Sequence, residues 1–348
     1  MSRPFDAIII GAGQAGPPLA GRLTAAGMSV ALIERHLFGG TCVNTGCMPT
    51  KALVASAYAA HLARRGAEYG VMLDTPPRID MPRIKARADA ISANSRAGIE
   101  RWLRDMTGCS VLQGHARFLS RDTVAVGEER LTAPRIFINV GGRALVPPLP
   151  GIDRVPYLTN SSMLARDRVP QHLIIVGGSY VGLEFAQIYR RFVARVTIVE
   201  MGPRLVARED EDISQAIREI LEAEGIAVRT AAECIRLAPH AEGVAVGVNC
   251  IEGDPEIVGS DVLLAVGRRP NTDDLGLDQA GVAVDARGFI HVNDFLATNV
   301  PGIWALGECN GRGAFTHTAY NDFEIVAANL LDGEARKVSD RIVGYALY

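Results

Sequence analysis

The feature that most constrains this chain is a unit that occurs twice. The first copy runs from Asp6 to Glu34. It has an unbroken apolar stretch Ala7–Ile10, the turn Gly11-Ala12-Gly13-Gln14-Ala15-Gly16, a helix to Ala26, a stop at Gly27, and a second apolar strand Val30–Ile33 ending in Glu34. The second copy has Leu173–Val176, the turn Gly177-Gly178-Ser179-Tyr180-Val181-Gly182, a helix, and Val196–Val199 ending in Glu200. Gly11 stands 23 residues before Glu34, and Gly177 stands 23 residues before Glu200. A short run with no polar alternation reads as a strand buried on both faces, which is the condition of a parallel sheet. In this strand–turn–helix–strand context the first glycine allows the tight turn. The second lets a pyrophosphate approach the backbone, and the third lets helix and strand pack closely. The free amides of the helix's first turn then face the phosphates. Pro17 and Pro18 fall where a helix start loses little hydrogen bonding. The fold class expected is α/β, with two Rossmann-like dinucleotide-binding domains. The second turn departs from the pattern at Ser179, whose Cβ restricts the backbone's approach to a ligand.

The rest of the chain is organised around these copies. Two helical stretches, Lys51–Arg65 and about Met81–Met106, precede a β-rich region from Ser110 to Val140. Pro147-Pro148-Leu149-Pro150-Gly151 reads as a linker into the second module, and Gly267-Arg268-Arg269-Pro270-Asn271 as a linker out of it. Short strands follow, including Ile303–Leu306, and then a helix from about Thr316 to Leu331. A length of 348 residues with 48% hydrophobic and 22% charged content suits two domains with a large core. A net charge of −3 implies no surface for nucleic acid. The basic stretch Arg78–Arg104 is interrupted by Asp80, Asp89 and Glu100 and reads as a solvated helix face. The longest early apolar run, Ala7–Ala12, is too short for a signal peptide core or a membrane span. Six cysteines without a secretory signal suggest a reducing, cytoplasmic setting.

Directly after Glu34 comes Gly39-Gly40-Thr41-Cys42-Val43-Asn44-Thr45-Gly46-Cys47-Met48-Pro49-Thr50-Lys51. Residues five apart on a regular helix diverge by about 140°, and a disulfide needs Cα atoms within about 7 Å. Cys42 and Cys47 therefore meet only if the turn is distorted, which Gly46 permits. A bare pair at this spacing reads as two unrelated buried cysteines, whereas its place behind a nucleotide-binding unit favours redox chemistry. No second Cys or His pair has zinc-ligand spacing, so no metal site is expected. Cys109, Cys234, Cys250 and Cys309 are isolated and read as structural.

With these motifs the chain resembles the flavoprotein disulfide reductases, the class I pyridine nucleotide-disulfide oxidoreductases. The likeness covers nearly the whole chain, Gly39–Lys51 is its most specific part, and the mercuric reductase-like and dihydrolipoamide dehydrogenase-like members are the most similar. The resemblance implies FAD on the first module and a nicotinamide dinucleotide on the second. FAD contacts would come from Gly11, Gly13, Gly16, Glu34, Gly40, Thr41, Lys51, Ala116, Gly141 (within Phe137–Arg143), Gly307, Glu308, Phe315, Thr316 and His317. Nicotinamide coenzyme contacts would come from Gly177, Ser179, Tyr180, Val181, Gly182, Glu200 and Gly267, with Tyr180 covering the pocket. Cys42, Cys47, Lys51 and Glu184 would be the catalytic set. Cys47 would be the flavin-side thiol, Cys42 the outward thiol exchanging with substrate, and Glu184 would pair with Lys51. Lys51 and helix amides would depress the pKa of at least one thiol. The domains implied are an FAD domain at 1–147 and 272–338, an NAD(P) domain at 148–271, and the start of a dimerisation domain at 339–348.

Two departures bear on function. Glu308 stands where the family usually has aspartate, and the chain stops at Gly344-Tyr345-Ala346-Leu347-Tyr348, read as the first strand of the dimerisation domain. That domain carries the family's His–Glu acid–base pair. The chain as given is therefore expected to associate weakly, if at all, where a full-length relative is a homodimer, and to reduce a small quinone or dye better than a disulfide. The acceptor expected is a small-molecule disulfide, a quinone or a metal-thiolate, with no nucleic acid or membrane partner. A mercuric reductase-like metal ion reductase and a flavin-binding remnant without full turnover are the alternatives. NADH is favoured over NADPH because Glu200 occupies the ribose position, although Arg204 and Arg208 follow closely and would suit a 2′-phosphate.

Overall fold

The computed structural model describes residues 2–249 and 253–347, apart from the Cys234 side chain. Cys250 and Tyr348 lie outside the described residues, so the structural reading of Cys234 and Cys250 has no counterpart here. The chain divides into two compact units, one of Met1–Cys47, Ser92–Arg143 and Arg268–Ala346, the other of Met48–Ile91, Ala144–Gly267 and Leu347–Tyr348.

The first unit is built on a five-stranded parallel sheet ordered Ile303–Ala305, Ile136–Ile138, Ala7–Ile10, Val30–Glu34, Cys109–Gln113. Every residue of Ala7–Ile10 and Val30–Glu34 is buried, as the apolar runs demand of strands covered on both faces. The helices Gly16–Ala25 and Thr316–Leu331 bury Leu19, Leu23, Phe323 and Val326 in one apolar cluster with Ile9 and Leu32. A smaller sheet, Ser2–Pro4, Glu129–Thr132, Thr123–Val126 and Ala116–Phe118, sits in the same unit.

The second unit repeats the plan with a four-stranded parallel sheet ordered Ala227–Arg229, Arg195–Val199, His172–Val176, Asp261–Leu264. A three-stranded antiparallel sheet, Glu233–His240, Gly243–Asn249 and Glu256–Gly259, completes it. Residues 48–91 pack with this unit, a division different from the one drawn from the sequence. Ala52, Leu53, Ala57, Met81 and Ala88 join the apolar cluster of Phe185, Tyr189 and Phe192.

Two sequence expectations change. Gly267–Asn271 is not a plain linker, because Arg268–Pro270 is a strand paired with the strand that begins at Gly142. The last residues form no strand: after the short 3-10 turn Val338–Asp340 the described chain is irregular. Its Ile342, Val343, Tyr345 and Leu347 are exposed, and no described strand pairs with them.

Candidate functional site

The two glycine turns are the same object at atomic detail. Gly11 has φ +108° and Gly177 φ +114°. A Cβ on Gly11 would lie 2.3 Å from the Asn139 carbonyl oxygen, and one on Gly177 would lie 2.4 Å from that of Ala265. A Cβ on Gly16 or on Gly182 would fall 2.2 Å from the carbonyl oxygen of Gly11 or Gly177. The glutamates repeat as well. Glu34 accepts the Ala12 amide at 2.9 Å on one oxygen and the His36 amide at 2.8 Å on the other. Glu200 accepts the amides of Gly178 at 2.6 Å and Gly202 at 2.7 Å. Each carboxylate thus ties the end of the second strand to the turn after the first.

Gly13 differs from its neighbours. Its added Cβ would meet nothing closer than the Asn139 side-chain amide at 3.4 Å, so the protein itself does not require glycine there. No side chain caps the helix Gly16–Ala25, whose N-cap is Ala15. Space over Gly13 beside uncapped helix amides is what a pyrophosphate requires. Of the other candidates in this unit, Gly141 has φ +62° with open space at its Cβ position, and Ala116 is buried at the start of its strand. Gly307 donates its amide to Asp322 at 2.7 Å. Glu308 is held in two-point contact by Arg268, at 2.6 and 2.8 Å, and Arg268 also donates to the Gly142 carbonyl at 2.6 Å. Phe315, just before the helix Thr316–Leu331, stacks on His317 at 5.5 Å.

The cysteine segment is fastened onto the first glycine turn. The Gly39 amide donates to the Ala12 carbonyl at 2.9 Å, and a Cβ on Gly40 would be 2.9 Å from the Gly13 Cα. Gly39 and Gly40 both take positive φ, which only glycine adopts at little cost. The short helix Gly40–Asn44 carries Thr41 and Cys42, and Asn44 donates back to Phe38 and Gly40 carbonyls at 2.9 Å. The chain then breaks. Gly46 sits where a Cβ would be 2.9 Å from the Thr41 carbonyl oxygen, and a new helix, Cys47–Arg64, begins at the second cysteine. The distortion expected at Gly46 is present, and its cause is a close backbone approach.

The break brings the two sulfurs together. The Cys42 side chain is hydrogen-bonded to Cys47, and that contact together with burial raises the Cys42 thiol well above the ordinary range. The expected depression therefore does not occur at Cys42. Two thiols that share a hydrogen bond titrate as a pair, and the first proton to leave strengthens the hold on the second. Cys47 opens an 18-residue helix, where the backbone favours negative charge. Cys47 is exposed and Cys42 half-buried. Cys42 lies inside its short helix beside buried Val43, whereas Cys47 stands at a helix end. Cys109 is half-buried and Cys309 fully buried, and burial pushes their thiols up to about 11 and about 12, as suits structural cysteines.

In the second unit Lys51 and Glu184 form an ion pair. Lys51 belongs to the helix begun by Cys47, one turn on, and Glu184 to the helix Tyr180–Arg191. Tyr180 opens that helix and is 37% exposed, and Ser179 is its N-cap. Val181 is half-buried. Gly267 has φ +126° and accepts the Leu145 amide at 2.9 Å. Arg204 turns inward, donating to the carbonyls of Ala207 at 3.2 Å and Glu209 at 3.1 Å. Among the described residues no group of three or more His, Cys, Asp or Glu could hold a metal ion, and no helix is long and apolar enough to cross a membrane.

Three contributors escaped the sequence reading, Arg268 on Glu308 and the pair Asp322 and Arg341, while Asn139 over the first turn lay within Phe137–Arg143 without being singled out. An aspartate within the apolar helix Thr316–Leu331 was the available signal for the pair.

A family model described as pyridine nucleotide-disulphide oxidoreductase matches residues 5–322. A mercuric reductase of Streptomyces lividans is 35% identical over 337 residues, 95% of this chain and 71% of the relative. A dihydrolipoyl dehydrogenase of Thermus scotoductus is 34% identical over 331 residues, 94% of this chain and 71% of the relative. The structure of the HOCl-induced flavoprotein disulfide reductase RclA from Escherichia coli superposes with a TM-score of 0.87 at 34% identity, over 97% of this chain and 73% of that one. The paired glycine turns, the joined cysteines and these likenesses agree, and the chain belongs to the pyridine nucleotide-disulfide oxidoreductase family of flavoprotein enzymes.

Proposed function

We propose that this chain takes electrons from NADH through FAD to the Cys42–Cys47 pair and on to a disulfide-type acceptor. The observation that carries the reading is the contact between Cys42 and Cys47 on a segment fastened to the first glycine turn. The first unit fits FAD at Gly13, where a Cβ would meet nothing closer than the Asn139 side-chain amide at 3.4 Å, and at the uncapped helix start. Gly11, Gly16, Glu34, Gly40, Thr41, Ala116, Gly141, Gly307, Glu308, Phe315, Thr316 and His317 would surround it, with Lys51 from the helix that Cys47 begins. Bound FAD supplies hydride acceptance from the nicotinamide and electron delivery to the cysteine disulfide.

The chain's own groups account for the rest. Cys47 holds the thiolate at its helix end, and Cys42 keeps the shared proton through their hydrogen bond. An acceptor disulfide is attacked by the Cys42 sulfur as its proton passes to Cys47, which then gives that proton to the first thiolate released. Cys47 then displaces the second thiol and closes the Cys42–Cys47 disulfide, so two sulfurs are oxidised and two reduced. Glu184 holds the Lys51 ammonium in place through their ion pair. Tyr180 covers the nicotinamide position. Glu200 selects NADH, because its carboxylate is fixed by Gly178 and Gly202 and repels a 2′-phosphate, while Arg204 is turned onto loop carbonyls.

A metal ion reductase using the same dithiol is the second reading, favoured by the 35% identity to a mercuric reductase. Anaerobic titration with NADH tests the site: a long-wavelength absorption band should appear and be absent in Cys47→Ser. Protein purified without flavin that also fails to bind added FAD would refute it. NADH oxidation driven by a small disulfide, against that driven by Hg(II), separates the two readings.

A further inference from the structure

The turn Gly307–Asn310 carries two of the proposed FAD contacts, and its anchor is Asp322, from the second turn of the helix Thr316–Leu331. One oxygen of Asp322 accepts both the Gly307 amide at 2.7 Å and the Asn310 side-chain amide at 2.9 Å. The carboxylate is only 1% exposed, so its charge needs a buried partner. That partner is Arg341, which donates to the other oxygen of Asp322 and reaches the Asn321 side-chain oxygen at 2.7 Å. The Arg341 Nη1 is also buried, with no hydrogen-bond partner among the described residues. A guanidinium accepting that loss is held in place by its charge partner.

Arg341 comes from beyond the family match, which ends at residue 322. Its segment is pinned on both sides. Before it, the Val338 amide donates to the Asp294 carbonyl at 2.9 Å, and the Ser339 hydroxyl to the Asp294 carboxylate at 3.0 Å. After it, Tyr345 stacks on Phe315 at 6.0 Å. We propose that Arg341 is a positioning residue for the flavin site: through Asp322 it sets the Gly307–Asn310 turn, so FAD retention depends on the segment 338–345. This rests on the reading that FAD occupies the first unit.

The experiment compares the full chain with Arg341→Met and Arg341→Lys. The readouts are the FAD Kd from flavin fluorescence, amide exchange over residues 305–312 and over 11–16, and the NADH Kd as a control on the second unit. Arg341→Met is expected to weaken FAD by about tenfold or more and to speed exchange at Gly307–Asn310. Exchange over residues 11–16 and the NADH Kd should stay near wild type, and Arg341→Lys should recover most of the FAD affinity. Should Arg341→Met not fold, Asp322→Asn carries the same comparison. Unchanged exchange over 305–312, or equal loosening of residues 11–16, would overturn the proposal. A wild-type chain that binds no FAD defeats the flavin reading instead, and the two exchange measurements still decide whether Arg341 sets the turn.

Discussion

The three glycines of the first turn should separate into two kinds when each is replaced by alanine. Gly16→Ala puts a Cβ 2.2 Å from the Gly11 carbonyl oxygen. Relieving that clash needs a movement of about 1 Å between helix and strand, and overpacking of this kind costs about 3 kcal/mol. Gly11→Ala meets the Asn139 carbonyl at 2.3 Å and must hold φ +108°, so backbone strain of roughly 1–3 kcal/mol is added. Gly13→Ala meets the Asn139 side-chain amide at 3.4 Å and the Asn139 carbonyl oxygen at 3.8 Å, both ordinary contacts. It should leave the stability of the flavin-free protein within about 0.5 kcal/mol, since no backbone atom opposes it. Its methyl would instead occupy the approach to a pyrophosphate, so FAD affinity should fall by about 10- to 100-fold, or roughly 1.4–2.8 kcal/mol. At about 2–4 °C per kcal/mol, calorimetry of flavin-stripped protein should show a drop of about 10 °C for Gly16→Ala and almost none for Gly13→Ala. FAD titration of the same samples supplies the second axis. The reasoning fails if Gly13→Ala unfolds as early as Gly16→Ala, or if it binds FAD as tightly as wild type.

Three further outcomes follow from the same geometry. The hydrogen bond to Cys47 and burial raise the Cys42 thiol, so brief alkylation of the reduced protein at pH 8 should label Cys47 first, by about tenfold or more; mass spectrometry that finds equal labelling would contradict the assignment. Wild type should prefer NADH over NADPH by about tenfold in kcat/KM, and Glu200→Ser should erase that preference while lowering affinity for both coenzymes, because Gly178 and Gly202 lose their acceptor. Buried His172 faces the Val258 carbonyl and the Thr197 hydroxyl, at 2.7 and 2.9 Å, and burial first, then Arg195, holds its pKa below the ordinary 6.5. As pH falls the unfolded chain takes up that proton first, so this stability is complete above about 6.5 and is lost as pH drops through the lower folded value. Thermal melts between pH 5 and 7.5 should show a slope that His172→Gln flattens.

The sequence reveals those parts of the fold where one local rule decides the outcome. The helix Thr316–Leu331 appears with the bounds read from its apolar pattern, and Ala7–Ile10 is buried along its whole length because a run with no polar face has nowhere else to go. What stayed hidden depends on residues that meet only after folding. Gly267–Asn271 has the composition of a linker, yet Arg268–Pro270 pairs with a strand begun more than a hundred residues earlier, and Arg268 then reaches Glu308. No window of sequence contains that partnership. The same holds for residues 48–91, whose helices follow the apolar cluster of Phe185 and Tyr189 rather than their neighbours along the chain.

The glutamates show how a residue read correctly by position acquires a second task in space. A carboxylate at the end of the second strand is assigned to a ribose by motif alone, and position is all the sequence offers. In both units the same carboxylate also binds two backbone amides, one in the glycine turn and one just past the strand. Those amides lie beside a turn that must remain open to a ligand, so apolar packing cannot hold it closed. An acceptor from the adjoining strand end does so at the cost of fixing one side chain. If Glu200 selects NADH as proposed, coenzyme preference and the order of the glycine turn become a single property of that residue. Adding a positive charge for a 2′-phosphate by Ala207→Arg while leaving Glu200 intact should disturb the turn less than replacing the glutamate, because Ala207 is exposed and the two amide bonds are kept.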